Sequence, residues 1–335
     1  MKSLFLSEGY SKTDRGDKWC YFMDKSFYVD GMLQFPIFHL IGGSTLQRVE
    51  FIEKLQRELD LCHLYTGVIN TSLPQRYELV TMARLFDLII VDGAVDFPLH
   101  KIYLDSRPDA GAGELVWLDG DSLSMERFCV NLLEKLDHIS SQVPVWACIL
   151  IGGRSSRMGQ PKHLLKGQDG GGESWLERTL RLVQPKVTGL VVSGKGELPK
   201  TLTGVQRIAD IPGVAGPLTG VLSAMRWQPG VSWLVIACDM PFISDGALDW
   251  LLSGRRPGCW GRIPRLVDAD FCEPLFAWYD GRCSHLLEQQ LLTGNFRVGK
   301  IASHIKIDNP IIPDRLRTSW QNINTPEQLQ AIHPD

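Results

Sequence analysis

Unbroken apolar runs that close on glycine punctuate this chain, and the two clearest share one design. FPIFHLIGG (Phe35–Gly43) leads into VEFIEKLQREL, and VPVWACILIGG (Val143–Gly153) leads through a polar loop into SWLERTLRLV. Runs that are apolar nearly throughout, without the alternation of a half-solvated strand, fit parallel strands covered on both faces. The segments after them switch to helical spacing. Each run therefore predicts a strand–turn–helix unit whose turn lies at the carboxyl end of a sheet, the edge where such sheets bind ligands. Nothing beyond LIGG recurs, so these are the opening strands of two separate units and not a repeat.

Strand-like and helical patterns keep alternating in the second half. Gly189–Gly194, Ser232–Cys238 and Cys272–Tyr279 read as strands, while AGPLTGVLSAMRW, ISDGALDWLL and GRCSHLLEQQLL read as helices. The alternation predicts an α/β fold with two doubly wound, mostly parallel, Rossmann-like sheets. MERFCVNLLEKLDHI has helical periodicity, and SSQVP after it reads as a short linker ending in a helix-blocking proline. The expected division is residues 35–141 and residues 145–332, after an extension, residues 1–34, that is aromatic, mixed in charge and without a period.

A length of 335 residues suits two domains. The net charge of -3 excludes broad, charge-driven nucleic-acid binding but leaves room for a local basic cluster on a small anion. The eight cysteines form no CxxC pair and have no histidine at ligand spacing, which argues against a zinc site. Cys148 and Cys238 sit inside apolar strand-like runs, where a reduced cysteine is a small core residue. The opening apolar patch is too short for a signal peptide or a membrane span, so a reducing, cytoplasmic setting is expected, with neither membrane nor nucleic acid as partner.

The chemistry concentrates in LIGGRSSRMGQPK, Leu150–Lys162. Gly152 and Gly153 let backbone N–H groups approach phosphate oxygens without a Cβ in the way. Ser155 and Ser156 add hydroxyls, Arg157 adds a fork of donors, and Lys162 adds a point charge. GG-x-S alone would read as a glycine turn beside a solvated basic loop; Arg157 and Lys162 at this spacing turn the reading toward phosphate. Asp239 follows the apolar run WLVIAC directly, and a carboxylate at that edge suits Mg²⁺ held by one or two carboxylates plus phosphate oxygens. Capping the next helix is the competing use, but Ser244 is better placed for it.

The ordered set LIGGRSSRMGQPKHLL, DIPGVAGPLTGVLSAM, CDMPF, EPLFAWY and NINTPEQL resembles the molybdenum cofactor guanylyltransferase family over about residues 145–332. The resemblance implies a nucleotidyltransferase fold, Mg²⁺, and transfer of GMP from GTP to molybdopterin with release of pyrophosphate. It makes Leu150, Ile151 and Gly152 the strand-end positions that receive the nucleotide, with Gly153 and Ser155 beside them. Lys162 becomes the phosphate lysine, Asp210 the acidic residue of the nucleotide site, Asp239 the shared metal and GTP ligand, and Arg157 the arginine beside the triphosphate. Arg157, Lys162 and Asp239 are thus the expected catalytic set. Glu273 of the EP motif, with Asn295 and Arg297 of GNFRV, falls to the pterin side or to structural duty. Asn324 reads equally as a metal-approaching group and as a cap before Thr325-Pro326. Where the family has an Asn-containing turn, this chain has Ser193-Gly194-Lys195. The related cytidylyltransferase using CTP, and a non-catalytic cofactor carrier, are the alternative readings. Molybdoenzyme apoproteins or their chaperones are the expected recipients of product.

Residues 35–141 resemble the P-loop GTP-binding protein that accompanies this enzyme, in degenerate form. Gly42 takes the first P-loop glycine, but Gln47, Arg48 and Val49 replace the second glycine, the lysine and the metal-binding hydroxyl, and Asp92 replaces the usual Glu. Without that glycine and hydroxyl the loop neither wraps a phosphate nor holds a metal. A non-hydrolysing module is expected, serving as a docking surface, a dimerisation surface or a scaffold that presents the pterin.

Overall fold

The computed structural model describes residues 34–104, 114–118, 122–152, 161–166, 172–202, 204–214, 216–325 and 327–328. Two sheets form. The first holds β1 (Ile37–Gly42), β2 (Thr66–Ile69), β3 (Leu88–Val91), β4 (His100–Leu104) and β5 (Leu115–Trp117) in the order β2-β3-β1-β4-β5, every pairing parallel. Helices α1 (Thr45–Leu61) and α3 (Ser122–Gln142) cover one face with Phe51, Leu55, Phe128 and Leu132, and α2 (Arg76–Met82) covers the other with Leu79. Two-sided cover is why Leu88–Val91 is apolar without alternation.

The strand-to-helix turn after β1 is closed on itself. Ser44 caps α1 by accepting from Gln47 N at 3.3 Å, while Gln47 Oε1 accepts from Ser44 N at 2.7 Å. Arg48 pairs with Asp92 at 3.3 Å. The Ser44, Gln47 and Arg48 side chains at this turn are thus engaged within the unit.

The second sheet holds β6 (Val145–Leu150), β7 (Gly189–Ser193), β8 (Arg207–Ile208), β9 (Ser232–Ala237), β10 (Gly261–Arg262), β11 (Phe276–Tyr279) and β12 (Ile307–Asp308) in the order β12-β10-β11-β9-β6-β7-β8. Only β11 runs against its neighbours among these strands. Helices α4 (Trp175–Val183) and α6 (Asp245–Leu252) pack Leu176, Leu180 and Leu248 on one face, with Trp278 and Trp320. Helices α5 (Pro217–Trp227) and α7 (Cys283–Leu292) pack Val221, Leu222 and Leu287 on the other, with Trp233 and Tyr279. Both sheets are therefore doubly wound. From β6 the chain builds outward through β7 and β8, then returns to lay β9 on the opposite side of β6. That reversal opens a crevice at the carboxyl ends of β6 and β9, the ligand-binding position of such sheets.

The two units meet end to end. Gln34–Pro36 before β1, Tyr65 before β2 and Asp87 before β3 face Val143 before β6, Val231 before β9, Trp260 before β10, and the Asp280–Arg282 turn. All of these lie at the amino-terminal ends of parallel strands or beside them, so the two carboxyl edges point away from each other. Among the described residues, no helix is long and apolar enough to cross a membrane.

Candidate functional site

At the carboxyl edge of the second sheet the ladder continues past the strand ends. Ile151 N donates to Ser193 O at 2.8 Å, and Cys238 N donates to Leu150 O at 3.1 Å. These bonds hold Gly152, the Ser193–Lys195 turn and Asp239 side by side. The turn depends on Gly194: its φ is +118°, and a Cβ there would fall 1.8 Å from the Ile151 carbonyl oxygen. The sequence marks this position only weakly, since a Ser-Gly-Lys turn after a strand is common.

Lys162 reaches the same edge from a short 3-10 turn, Lys162–Leu164. Its ammonium donates to Asp239 Oδ2 at 3.1 Å and to Asn324 Oδ1 at 2.6 Å. Behind it, Leu165, Trp175 and Ile323 form a small buried cluster, and Ile323 N donates to Asp239 O at 3.0 Å. This apolar mount brings three segments, distant in sequence, to one point. Around them opens a cavity of about 450 Å³ lined by Leu150, Ile151, Gly152, Lys162, Lys195, Asp210 and Asp239, with Thr219 and Leu275 among further walls. Ser193 Oγ, at 3.4 Å from Asp210 Oδ1, supports the carboxylate on the β7–β8 side.

The expected residues divide into several groups. Leu150, Ile151, Gly152, Lys162, Asp210 and Asp239 line one cavity. Gly153, Ser155 and Arg157 lie outside the described residues. Asn295 and Arg297 line a separate shallow depression with Phe296 and Lys300, where Asn295 Oδ1 accepts from Arg297 N at 3.0 Å. Glu273 is nearly buried, and burial pushes its carboxyl above the usual glutamate range. Lys195, Thr219 and Leu275 also line the cavity, and sequence reasoning misses them as site residues. Thr219 and Leu275 carry no charge or spacing that marks them; Lys195 is legible only as a departure from an expected turn.

Several groups are unsuited to chemistry. Burial, with Asp239 adding to it, pushes the Cys238 thiol up to about 12, so it offers no thiolate near neutrality. His163 is buried with Nε2 2.8 Å from Glu197 O, a structural setting and not that of a base facing the cavity. Among the described residues no cluster of three His, Cys, Asp or Glu side chains could cage a metal. One carboxylate such as Asp239 at the wall of this cavity is still a sufficient protein share for a hard divalent ion, which takes its other ligands from phosphate and water.

A doubly wound sheet with Lys162, Lys195, Asp210 and Asp239 at its crevice suits a nucleotide, the setting of a nucleotidyltransferase. The family model described as the MobA-like NTP transferase domain matches residues 147–304. The molybdenum cofactor guanylyltransferase of Rhizobium meliloti (strain 1021) is 34% identical over 197 residues, spanning 55% of this chain and 88% of that protein. The same enzyme of Sinorhizobium fredii (strain NBRC 101917 / NGR234) is 34% identical over 200 residues, with 55% and 88% covered. The crystal structure of molybdopterin-guanine dinucleotide biosynthesis protein A from Archaeoglobus fulgidus is similar at 24% identity and a TM-score of 0.46, over 56% of this chain and 96% of that one. The chain belongs to the molybdenum cofactor guanylyltransferase family.

Proposed function

We propose that this enzyme transfers GMP from GTP to the terminal phosphate of molybdopterin, forming the guanine dinucleotide and pyrophosphate. The observation that carries the reading is the Lys162–Asp239–Asn324 contact at the mouth of the β6–β9 crevice. An oxygen of the acceptor phosphate attacks the α-phosphorus of GTP. The new P–O bond forms as the α–β phosphoanhydride breaks, and the electron pair leaves on pyrophosphate. No protein nucleophile is needed, because the acceptor is already anionic, and Cys238 offers none. The difficulty is bringing two anions together, so catalysis rests on positioning and charge.

Lys162 supplies a charge at the cavity wall, held in direction by Asp239 and Asn324, and Arg157 is assigned the same duty. Asp239 would hold a divalent cation, Mg²⁺ in this reading, which supplies further neutralisation on the phosphates when bound. Asp210 is assigned to the nucleotide, and the choice of GTP over CTP rests on the similarity to guanylyltransferases. Gly152 and Ile151 receive the nucleotide along the strand end. Glu273, Asn295 and Arg297 are assigned to the acceptor side. The first unit is read as a non-hydrolysing relative of a P-loop protein, the protein as cytoplasmic, and molybdoenzyme apoproteins or their chaperones as recipients of product.

The test is the full chain with Mg²⁺, molybdopterin and each of the four nucleoside triphosphates, following pyrophosphate and dinucleotide. GTP alone is expected to be turned over, and Asp239→Ala is expected to abolish release with the melting temperature retained. Turnover of CTP in place of GTP would establish the cytidylyl alternative. An active Asp239→Ala variant would remove the metal assignment, and tight binding of molybdopterin without any turnover would favour a carrier.

A further inference from the structure

Asp87 is one of the most enclosed charges among the described residues, with a side chain 2% exposed at the junction of the two units. Both of its oxygens are fully used. Oδ1 accepts from Trp260 Nε1 at 2.7 Å and from Arg282 Nη1 at 2.8 Å. Oδ2 accepts from Tyr65 N at 2.7 Å and from Lys306 Nζ. Three of these four donors belong to the transferase unit, and they come from three separate segments: the approach to β10, the β11–α7 turn and the approach to β12.

Lys306 completes the knot from the other side. Its side chain is 1% exposed, donates also to the His63 carbonyl, and lies 3.8 Å from the Tyr65 ring centroid. Burial lowers its affinity for the proton, and the bond to Asp87 opposes that. Arg282 is held in turn by Asp280 at 2.7 Å. Such an arrangement is weak evidence of net stability, because desolvating charges offsets much of their attraction. Its distinguishing property is geometric. One carboxylate from the first unit binds three segments of the second at once, segments that the β10, β11 and β12 pairings also hold together.

Those segments frame the stretch that follows the residues assigned to the acceptor side. From Asn295 and Arg297 the chain passes through a 3-10 stretch, Val298–Ser303, and enters β12 directly after Lys306. Near its start, a Cβ on Gly299 would meet Pro274 Cγ at 3.5 Å, one residue from the cavity wall at Leu275. Near its end, His304 stacks on Trp260 at 5.7 Å and Trp260 N donates to Lys306 O at 2.8 Å. The stretch is thus suspended between the catalytic edge and the Asp87 knot.

We propose that the first unit is an intramolecular brace for the acceptor side of the transferase, with Asp87 acting as a positioning residue on Lys306, Arg282 and Trp260. This rests on the assignment of Asn295 and Arg297 to the acceptor. It gives the first unit a duty in the reaction without any ligand of its own, consistent with its closed turn at Ser44 and its Arg48–Asp92 pair.

The experiment uses the full chain and two variants. Asp87→Asn leaves one acceptor oxygen where two were needed and turns an amide donor toward existing donors. Lys306→Met keeps the stem on Tyr65, removes the charge, and keeps the test open if Asp87→Asn does not fold. Amide exchange over residues 298–308 and the separate KM values for GTP and molybdopterin are measured. The expected result is exchange faster by about tenfold in that stretch, with the molybdopterin KM raised by about tenfold and the GTP KM within about twofold. Unchanged exchange overturns the brace. So does faster exchange with an unmoved molybdopterin KM, or a parallel rise in both KM values. A parent chain that transfers nothing from GTP sinks the functional reading instead, and amide exchange still shows independently whether Asp87 holds the stretch.

Discussion

Replacing Lys162 with methionine separates charge from packing at the centre of the site. The lysine side chain is 16% exposed and Asp239 is 25% exposed, so their 3.1 Å contact is partly screened. Pairs of that kind contribute only about 0–1 kcal/mol to stability. For a unit of this size, that corresponds to a fall in melting temperature of about 2–4 °C at most. The catalytic loss should be far larger. Of the three ammonium protons, two are directed to Asp239 and Asn324, which leaves one for a phosphate oxygen. A donor fixed in advance toward developing negative charge is worth about 2.7–4 kcal/mol, a fall in kcat of about 10²–10³-fold. Steady-state pyrophosphate release under saturating GTP and acceptor, paired with calorimetric melting, measures both quantities on one sample. A loss of less than tenfold with an unchanged melting temperature would refute the charge argument. Equal collapse of activity and stability would make Lys162 a structural residue.

Two further outcomes are expected. Gly194→Ala should melt several degrees lower and lose GTP binding by calorimetry, since its Cβ would collide with the Ile151 carbonyl and left-handed strain adds about 1–3 kcal/mol. Gly213→Ala is the control: φ is +78° but nothing lies within 4 Å, and an equal loss in the two variants would refute the steric account. At Glu273, burial raises the carboxyl pKa in the folded state, so the fold is favoured below the ordinary glutamate value and loses that advantage as pH rises through the raised one. Glu273→Gln should therefore melt above the parent at pH 8 and converge with it in acid; a gap independent of pH would show that ionisation is not the cause.

The fold is legible in the sequence because two-sided burial forces a simple pattern. Val145–Leu150 and the 233–237 run of the next parallel strand can be continuously apolar only if helices cover both faces, as they do. Asp239 stands out as the first charge after such a run, and Ser244 is recognisable as the cap of α6, where it accepts from Ala247 N at 3.3 Å. What the pattern does not give is which distant segments meet. Lys162 and Asn324 are 162 positions apart, and their contact depends on the Leu165–Trp175–Ile323 cluster. Asn324 also illustrates why two uses are open in the sequence: its backbone N–H donates to Gln328 Oε1 at 2.6 Å in a local cap, while its side-chain oxygen accepts from Lys162. Asp87 looks like the polar start of a strand. Its meaning comes from partners at 260, 282 and 306, and no local pattern carries such pairings.

Because the two sheets join through their amino-terminal ends, the surface around Ser44 and Asp92 stands at the opposite pole of the molecule from the candidate site at the carboxyl edge of the second sheet. Substitutions at that pole can accumulate without meeting the substrate, provided that the seam at Asp87 is kept. A fluorophore, an affinity handle or a whole appended protein attached there would leave the catalytic mouth clear, which makes that pole the natural place to tether the enzyme.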